Sequence, residues 1–251
     1  MSDLSLSDLS GRRALVTGGS RGIGAAIARA LARGGADVAI TYSSSPDRAA
    51  AVVKEIEALG RRAVSIQADS ADPAAVQRSV QDAVKALGGL DILVNNAGIA
   101  RLGPIESMSL EDLDALLHVN VRAVVLASGA AIPHLPKGGR IITIASNVAE
   151  RVPFPGLTAY SMTKSALTSL TRGLARDLGP RGINVTMVLP GPIDTEMNPA
   201  DGPLADTLRP MLPLGRYGTP EDIAAAVVFL AGPGGRQITG TGIVVDAGLN
   251  A

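Results

Sequence analysis

Short, nearly uninterrupted apolar runs rich in β-branched residues recur along this chain, at positions 14–17, 37–41, 63–67, 92–94, 141–144, 184–189 and 243–245. Between most of them lie alanine-rich stretches whose apolar residues repeat with helical spacing. A strand covered on one face alternates apolar and polar residues, whereas runs this continuous belong to strands buried on both faces. Strands of that kind alternating with helices predict an α/β fold of the Rossmann type, a doubly wound, seven-stranded parallel sheet flanked by helices. No linker, low-complexity tract or internal repeat divides the 251 residues, so a single domain is expected.

Composition narrows the function. Lys plus Arg and Asp plus Glu are 23 each, so no net charge draws the chain to nucleic acid or anionic lipid, and a small molecule is the expected partner. The absence of cysteine excludes disulfides, thiolate catalysis and cysteine-ligated zinc, and His118 and His134 are too few for a histidine-rich metal site, so no metal is expected. Residues 1–11 alternate Asp, Ser and Leu without the basic start and apolar core of a signal peptide. No uninterrupted apolar run approaches the ~18 residues of a membrane span. The expected location is the cytoplasm, away from any membrane.

The chemistry begins at Thr17-Gly18-Gly19-Ser20-Arg21-Gly22-Ile23-Gly24, which passes from an apolar strand directly into an amphipathic helix. Glycines let the backbone turn tightly and approach a pyrophosphate, and a helix N-terminus presents free N–H groups with a partial positive charge. Further on, Tyr160 and Lys164 stand four residues apart and so share one helix face. A free phenol titrates near ~10; a neighbouring ammonium is expected to pull that value down and give a general acid for carbonyl reduction or a base for alcohol oxidation. The interruption at 190–220, rich in Pro, Gly and Asp, follows the carboxyl end of the sixth strand, where open α/β sheets place their ligands, and is read as a substrate lid.

The spacing of Gly18, Gly22 and Gly24, with Asn95-Asn96-Ala97-Gly98 after the fourth strand, Tyr160-Ser161-Met162-Thr163-Lys164 on a later helix, Pro190-Gly191 after the sixth strand and a Val-Asp-Ala-Gly ending, resembles the short-chain dehydrogenase/reductase family. The resemblance covers nearly the whole chain and implies one dinucleotide-binding catalytic domain over 1–251. It implies that Asp69 and Ser70 face the adenine, that Asn96, Ala97 and Gly98 line its ribose, and that Pro190, Gly191, Ile193 and Thr195 flank the nicotinamide. It also implies that Asn120 holds a water that relays protons to Lys164. Asp69 can also be read as a strand-end turn residue, and Asn120 as a polar kink in a long helix. Many members pack the last strand across a subunit interface, so a homotetramer is the expectation by analogy.

An acidic residue ~20 positions beyond the glycine turn would hold an unphosphorylated adenosine ribose. That place reads Thr41-Tyr42-Ser43-Ser44-Ser45, without a carboxylate, and Arg21 supplies the positive charge a 2′-phosphate needs. NADP(H) is the expected cofactor. A hydroxyl or amide donor should assist Tyr160 at the reacting oxygen. The family usually has a serine 13 residues before its tyrosine; here that position is Asn147, and Ser146 lies 14 before. Either Ser146 keeps the role in a longer loop, the reading favoured by its place just after the fifth strand, or Asn147 donates its amide.

Substrate choice is expected from positions 150–157 and from the lid, including Met197, Asn198, Met211 and Leu212, with Val152, Pro153, Phe154 and Pro155 as an apolar wall and Ser146 and Asn147 beside it. A medium-sized ketone, aldehyde or secondary alcohol would fit. A 3-oxoacyl thioester on an acyl carrier protein is a family-level alternative, with Lys137 and Arg181 as docking charges. The stretches 146–153, 191–195 and 198–203 are also similar to those of cyclic-di-GMP-binding biofilm-dispersal reductases, which makes second-messenger binding the rival reading. The acids Glu111, Asp112 and Asp114 after Ser109 read as a capped helix start, and Arg172, Arg176 and Arg181 as a solvated helix face.

Overall fold

The computed structural model describes residues 6–251, so the first five residues of the opening 1–11 segment lie outside the described residues. The seven apolar runs become β1 (Arg13–Val16), β2 (Asp37–Tyr42), β3 (Ala63–Gln67), β4 (Ile92–Asn95), β5 (Arg140–Ile144), β6 (Asn184–Pro190) and β7 (Thr241–Val245). They form one sheet in the order β3-β2-β1-β4-β5-β6-β7, and every neighbouring pair is parallel. Between and after them come α1 (Gly22–Arg33), α2 (Pro46–Ala58), α3 (Pro73–Leu87), α4 (Leu110–Leu117), α5 (Ala123–Ala131), α6 (Thr158–Leu178), α7 (Ala205–Leu208) and α8 (Pro220–Ala231).

The continuity of the apolar runs has the cause inferred for it. Val16, Ile40, Val94 and Ile142 point into a core shared with α1, α2 and α8, while Leu15, Ala39, Leu93 and Ile141 point the other way, into a core shared with α3, α5 and α6. Each fully buried Leu, Ile or Val contributes roughly 1.5–3 kcal/mol relative to exposure, so a polar substitution in the middle of a strand harms one core or the other. Helix ends are set locally. Asp72 accepts a hydrogen bond from the Ala74 N–H at 2.8 Å to start α3, Ser109 accepts from the Asp112 N–H at 3.1 Å to start α4, and Thr219 and Asp222 form a reciprocal capping box on α8.

Strand order reverses between β1 and β4, whose connections run to opposite faces of the sheet, and this opens a crevice at the carboxyl ends of those strands. The turn after β1, the loop after β4, the loop after β5 and the segment after β6 therefore all meet at one rim. The 191–219 segment is not structureless: it carries α7, a tight turn at Arg209–Met211, and bridges pairing Ile193 with Gly218 and Thr195 with Asn198.

Helices α4 and α5 join through a π-helical turn, His118–Arg122, into a continuous helical stretch. An 18-residue window within Leu110–His134 has a mean hydropathy of 1.6, so the stretch is long and apolar enough to cross a membrane by length and composition alone. Asn120 and Arg122 interrupt the apolar run, so it is not the uninterrupted stretch of a membrane span. In the fold the stretch packs against α3 and α6, with Leu116, Val119, Asn120, Val124 and Ala127 buried, as a core helix of the sheet.

Candidate active site

The glycine turn is braced from three directions. The Gly18 N–H donates to the Thr41 hydroxyl at 3.0 Å, the Gly19 N–H to the Thr41 carbonyl at 2.9 Å, and the Asn96 amide donates to the Thr17 and Gly18 carbonyls at 2.9 and 3.1 Å. The Thr17 hydroxyl in turn accepts from the Asn96 and Ala97 N–H groups. A Cβ on Gly24 would lie 2.3 Å from the Gly18 carbonyl oxygen and 2.5 Å from the Asn96 amide nitrogen, and Gly18 and Gly22 take φ of +64° and +51°. The backbone can thus approach a ligand where a side chain would stand. No side chain caps α1, whose N-cap is Arg21, so its first N–H groups remain directed at that ligand. This cradle fits a dinucleotide pyrophosphate.

Ser20, Arg21 and Ile23 lie on the same turn, with Ile23 packed partly against the core. Tyr42 also packs against that core, and exposed Ser43 and Ser44 follow it at the end of β2, where the Ser43 carbonyl accepts from Gln67 at 3.1 Å. Asp69 accepts from the Ala71 N–H at 2.8 Å, so one of its oxygens makes the strand-end turn. Ser70 borders a small cavity with Thr17, Thr41, Asn95 and Ala97, immediately behind the glycine turn. Thr195 stands over the start of α1, its methyl 3.7 Å from where a Gly22 Cβ would be. Gly191 lies against Asp246 so closely that a Cβ would come within 2.5 Å of the Asp246 Cβ, and Pro190 and buried Ile193 flank it.

Across the crevice, α6 brings Tyr160 and Lys164 to one face, and the loop after β5 brings Ser146 to Tyr160. Burial pushes the Tyr160 phenol above its ordinary value, and a hydrogen bond with Ser146 opposes that rise. Burial brings the Lys164 ammonium from 10.5 down to about 8. This corrects the expectation that the ammonium dominates the phenol. The Lys164 Nζ is 5.8 Å from the Tyr160 ring centroid and donates to the Ile144 carbonyl at 3.3 Å, so desolvation outweighs its attraction. Asn120 is both a kink residue and a site neighbour: its Oδ1 accepts from the Ile99 N–H at 2.9 Å, its amide donates to the Ile99 carbonyl at 2.9 Å and to Thr163 at 3.1 Å, and both its Oδ1 and the Lys164 Nζ border Gly98.

Asn147 points elsewhere. Its amide donates to Asp246 and Asn250, each at 3.3 Å, and the Asn250 amide returns a bond to the Asn147 carbonyl at 2.9 Å. The alternative in which Asn147 supplies the amide beside Tyr160 is therefore set aside, because that amide is committed to the turn after β7, and its expected place among the substrate contacts falls with it. Arg151 reinforces the same join by donating to the Leu249 and Ala251 carbonyls at 3.0 and 3.2 Å. The 191–219 segment has a small core of its own, Ala205, Leu208, Leu212 and Tyr217 with Leu249, and Phe154 packs against it. Leu212, expected at the substrate, thus faces inward, whereas Val152 and Met197 are exposed.

One further expectation changes. Lys137 and Arg181 precede β5 and β6, at the amino ends of the strands and so on the rim opposite the crevice, and Arg181 is engaged with the Ile132 and Leu135 carbonyls at 2.9 and 3.1 Å. They cannot dock a carrier protein at this site. Among the described residues no cluster of acidic or histidine side chains could hold a metal. Sequence reasoning quoted Thr17 and Thr41 within their motifs without giving either a role, and it missed Arg48 and Glu196 altogether. Glu196 forms an ion pair with Arg21 at 2.9 Å and a second with Arg48.

The family model described as enoyl-(acyl carrier protein) reductase matches residues 18–250. A cyclic-di-GMP-binding biofilm dispersal mediator protein of Escherichia coli (strain K12) is 43% identical over 241 residues, 96% of this chain and 98% of that protein. Among solved structures, a short chain dehydrogenase from Burkholderia cenocepacia J2315 in complex with NADP is 60% identical with a TM-score of 0.96, covering 97% of this chain and 99% of the other. A blue fluorescent protein from a metagenomic library, in complex with NADPH, is 54% identical with a TM-score of 0.96, covering 97% of this chain and all of the other, 100%. Matches of this extent agree with the parallel sheet, the glycine turn and the Tyr160/Lys164 helix: the chain belongs to the short-chain dehydrogenase/reductase family.

Proposed function

We propose that this chain is an NADP(H)-dependent oxidoreductase that interconverts a ketone or aldehyde with the corresponding alcohol, with Tyr160 as general acid or base. The observation that carries this reading is the convergence of Ser146, Tyr160 and Lys164 on the rim that also holds the glycine cradle. The NADP and NADPH complexes of the two structural relatives support the choice of cofactor. The bound nicotinamide supplies the hydride. The chain's part is to hold a carbonyl oxygen between Ser146 and Tyr160, to keep a proton on the phenol until the oxygen needs it, and to replace that proton. Because burial raises the phenol, Tyr160 stays protonated at neutral pH and stands as the acid of a reduction. Lys164, lowered to about 8, is close enough to neutrality to pass a proton on, with Asn120 fixed beside it. Val152, Phe154 and Met197 would meet the substrate, and the 191–219 segment would serve as its lid over a single catalytic domain.

Exposed Leu110, Val125 and Met162 on α4, α5 and α6, and exposed Val244 on the edge strand β7, favour a homotetramer, which sedimentation would test. A chain without cysteine or net charge suits the cytoplasm.

The test is a panel of carbonyls and alcohols with NADPH and NADH. Reduction should prefer NADPH, hold steady through neutral pH and fall at alkaline pH as the phenol ionises, while alcohol oxidation rises over the same range. Tyr160→Phe should lower turnover by about 10²-fold or more while NADPH still binds. The Escherichia coli relative supports a second reading, binding of cyclic-di-GMP. Against it, the residues that carry that likeness here have internal partners: Arg151 holds the turn after β7, and Asp194 accepts from the Ala200 N–H at 2.9 Å. Tight messenger binding without carbonyl-dependent NADPH oxidation would reverse the choice.

A further inference from the structure

Two arginines from different parts of the chain meet one carboxylate beside the glycine turn. Arg21 is the N-cap of α1, Arg48 lies in the first turn of α2, and Glu196 reaches both from the segment after β6. All three side chains are more than half exposed, at 62%, 52% and 55%. The electrostatics do not balance. A helix N-terminus carries a partial positive charge, so a cation there is unfavourable; here two helix N-termini each carry a guanidinium. A single carboxylate faces them, and Asp47, the acid in the first turn of α2, pairs with neither arginine. The two guanidiniums hold Glu196 below the usual carboxylate range, so it is ionised throughout the working range. One negative charge still leaves an excess of positive charge, which suits a dianion with three acceptor oxygens better than a monoanion with two.

We propose that Arg48 joins Arg21 in a two-guanidinium clamp for the 2′-phosphate of NADP(H), and that Glu196 is the internal competitor that this phosphate displaces. The proposal rests on the NADP(H) reading above and extends it. The phosphate is the stronger acceptor, so it exchanges the two internal ion pairs of Glu196 for a larger electrostatic gain. NADH has no group to make that exchange and leaves Glu196 in place. Arg48 and Glu196 thereby become determinants of cofactor choice, and Glu196 ties that choice to the segment next to the substrate wall, since Met197 follows it directly.

The experiment is calorimetric titration of the full-length protein and its variants with NADPH and NADH, and with 2′,5′-ADP and 5′-ADP as probes that differ only in where the second phosphate sits. Arg48→Gln should lower the NADPH to NADH affinity ratio about tenfold, with the same fall for 2′,5′-ADP relative to 5′-ADP. Glu196→Gln should raise both ratios about threefold or more. Asp201→Asn removes a charge from the same segment without touching either arginine and serves as the control; it should move neither ratio. The proposal is overturned if Glu196→Gln weakens NADPH or leaves it unchanged, which would make Glu196 a clasp over the cofactor or a bystander. It is overturned equally if Asp201→Asn matches Glu196→Gln, or if Arg48→Gln weakens both cofactors alike. A wild-type protein that binds neither nicotinamide sinks the NADP(H) reading itself, whereas NADPH binding with unmoved ratios sinks only the clamp.

Discussion

The turn after β1 and the loop after β5 each bring chemistry to the same rim of the sheet, but they are held in place differently. The glycine turn keeps its shape because side chains are missing: Cβ atoms at Gly18, Gly19 and Gly24 would run into Ala97, Ile40 and the Gly18 carbonyl. The loop after β5 keeps its shape because side chains are present. Asn147 reaches Asp246 and Asn250, 99 and 103 residues away, and Arg151 reaches the Leu249 carbonyl, 98 away. A requirement for no side chain can be met only by glycine and so leaves a visible mark in the sequence. A requirement for a hydrogen-bonding side chain can be met by many residues and leaves almost none.

The sharpest way to break this contrast is to add one methyl group to the turn. Gly24→Ala puts a carbon 2.3 Å from a backbone oxygen that cannot rotate away, so overpacking should cost about 3 kcal/mol and cofactor affinity should fall with it. Thermal unfolding and NADPH titration would show both; a variant with wild-type melting and binding would mean the turn is not held as tightly as its contacts imply.

Lys164 tests the floor between the two regions. Its pKa falls from 10.5 to about 8 on folding, so at neutral pH the folded chain carries a buried charge that the unfolded chain carries in water. The unfolded state binds more protons between those values, so this group's contribution to stability rises as pH climbs from about 8 towards 10.5 and is unfavourable below. Lys164→Met should therefore stabilise the cofactor-free protein at pH 7 by on the order of 2 kcal/mol, with the gain shrinking above pH 8, while abolishing turnover. Melting curves across that range decide it, and a variant that is less stable at pH 7 would contradict the stated cause.

Asn147→Ala probes the other region more gently. Loss of its amide leaves Asp246 with one partner fewer in a buried setting, a cost of about 1–2 kcal/mol. With the loop loosened, kcat should drop about fivefold more than affinity for cofactor changes, because Ser146 is the neighbour displaced. Ser146→Ala should lower kcat further still. If Ser146→Ala instead kept near-full turnover and Asn147→Ala lost it, the assignment of the two residues would have to be exchanged.

The same contrast explains what the sequence could reveal. The seven strands were legible because burial on both faces forces continuous apolar runs, and Gly18, Gly22 and Gly24 were legible because no other residue fits. Tyr160 and Lys164 were legible as a pair because helical spacing puts them on one face. The choice between Ser146 and Asn147 was not, since both are small polar residues after a strand and only the partner at Asp246 separates them. Glu196 and Arg48 were invisible for a similar reason: they are 148 positions apart, and each alone is a charged surface residue. Leu212 read as a lid residue at the substrate from its apolarity, although apolarity suits the small core under the 191–219 segment equally well.

Lys137 supplies the weakest perturbation and the cleanest check on which rim of the sheet is used. Sequence reasoning named it as a docking charge for its charge alone, although it precedes the fifth apolar run and so belongs to the amino end of that strand, away from where open α/β sheets place their ligands. In the fold it precedes β5, next to Gly182, on the rim away from Tyr160. Charges on that rim are separated from the crevice by the length of the strands and screened beyond about 8–10 Å at ordinary ionic strength. Lys137→Glu should accordingly change kcat/KM by less than about twofold for both a free carbonyl and a carrier-bound one. A tenfold loss confined to the carrier-bound substrate would mean that a partner reaches the crevice from the amino side, and the rim assigned to the substrate would then have to be redrawn.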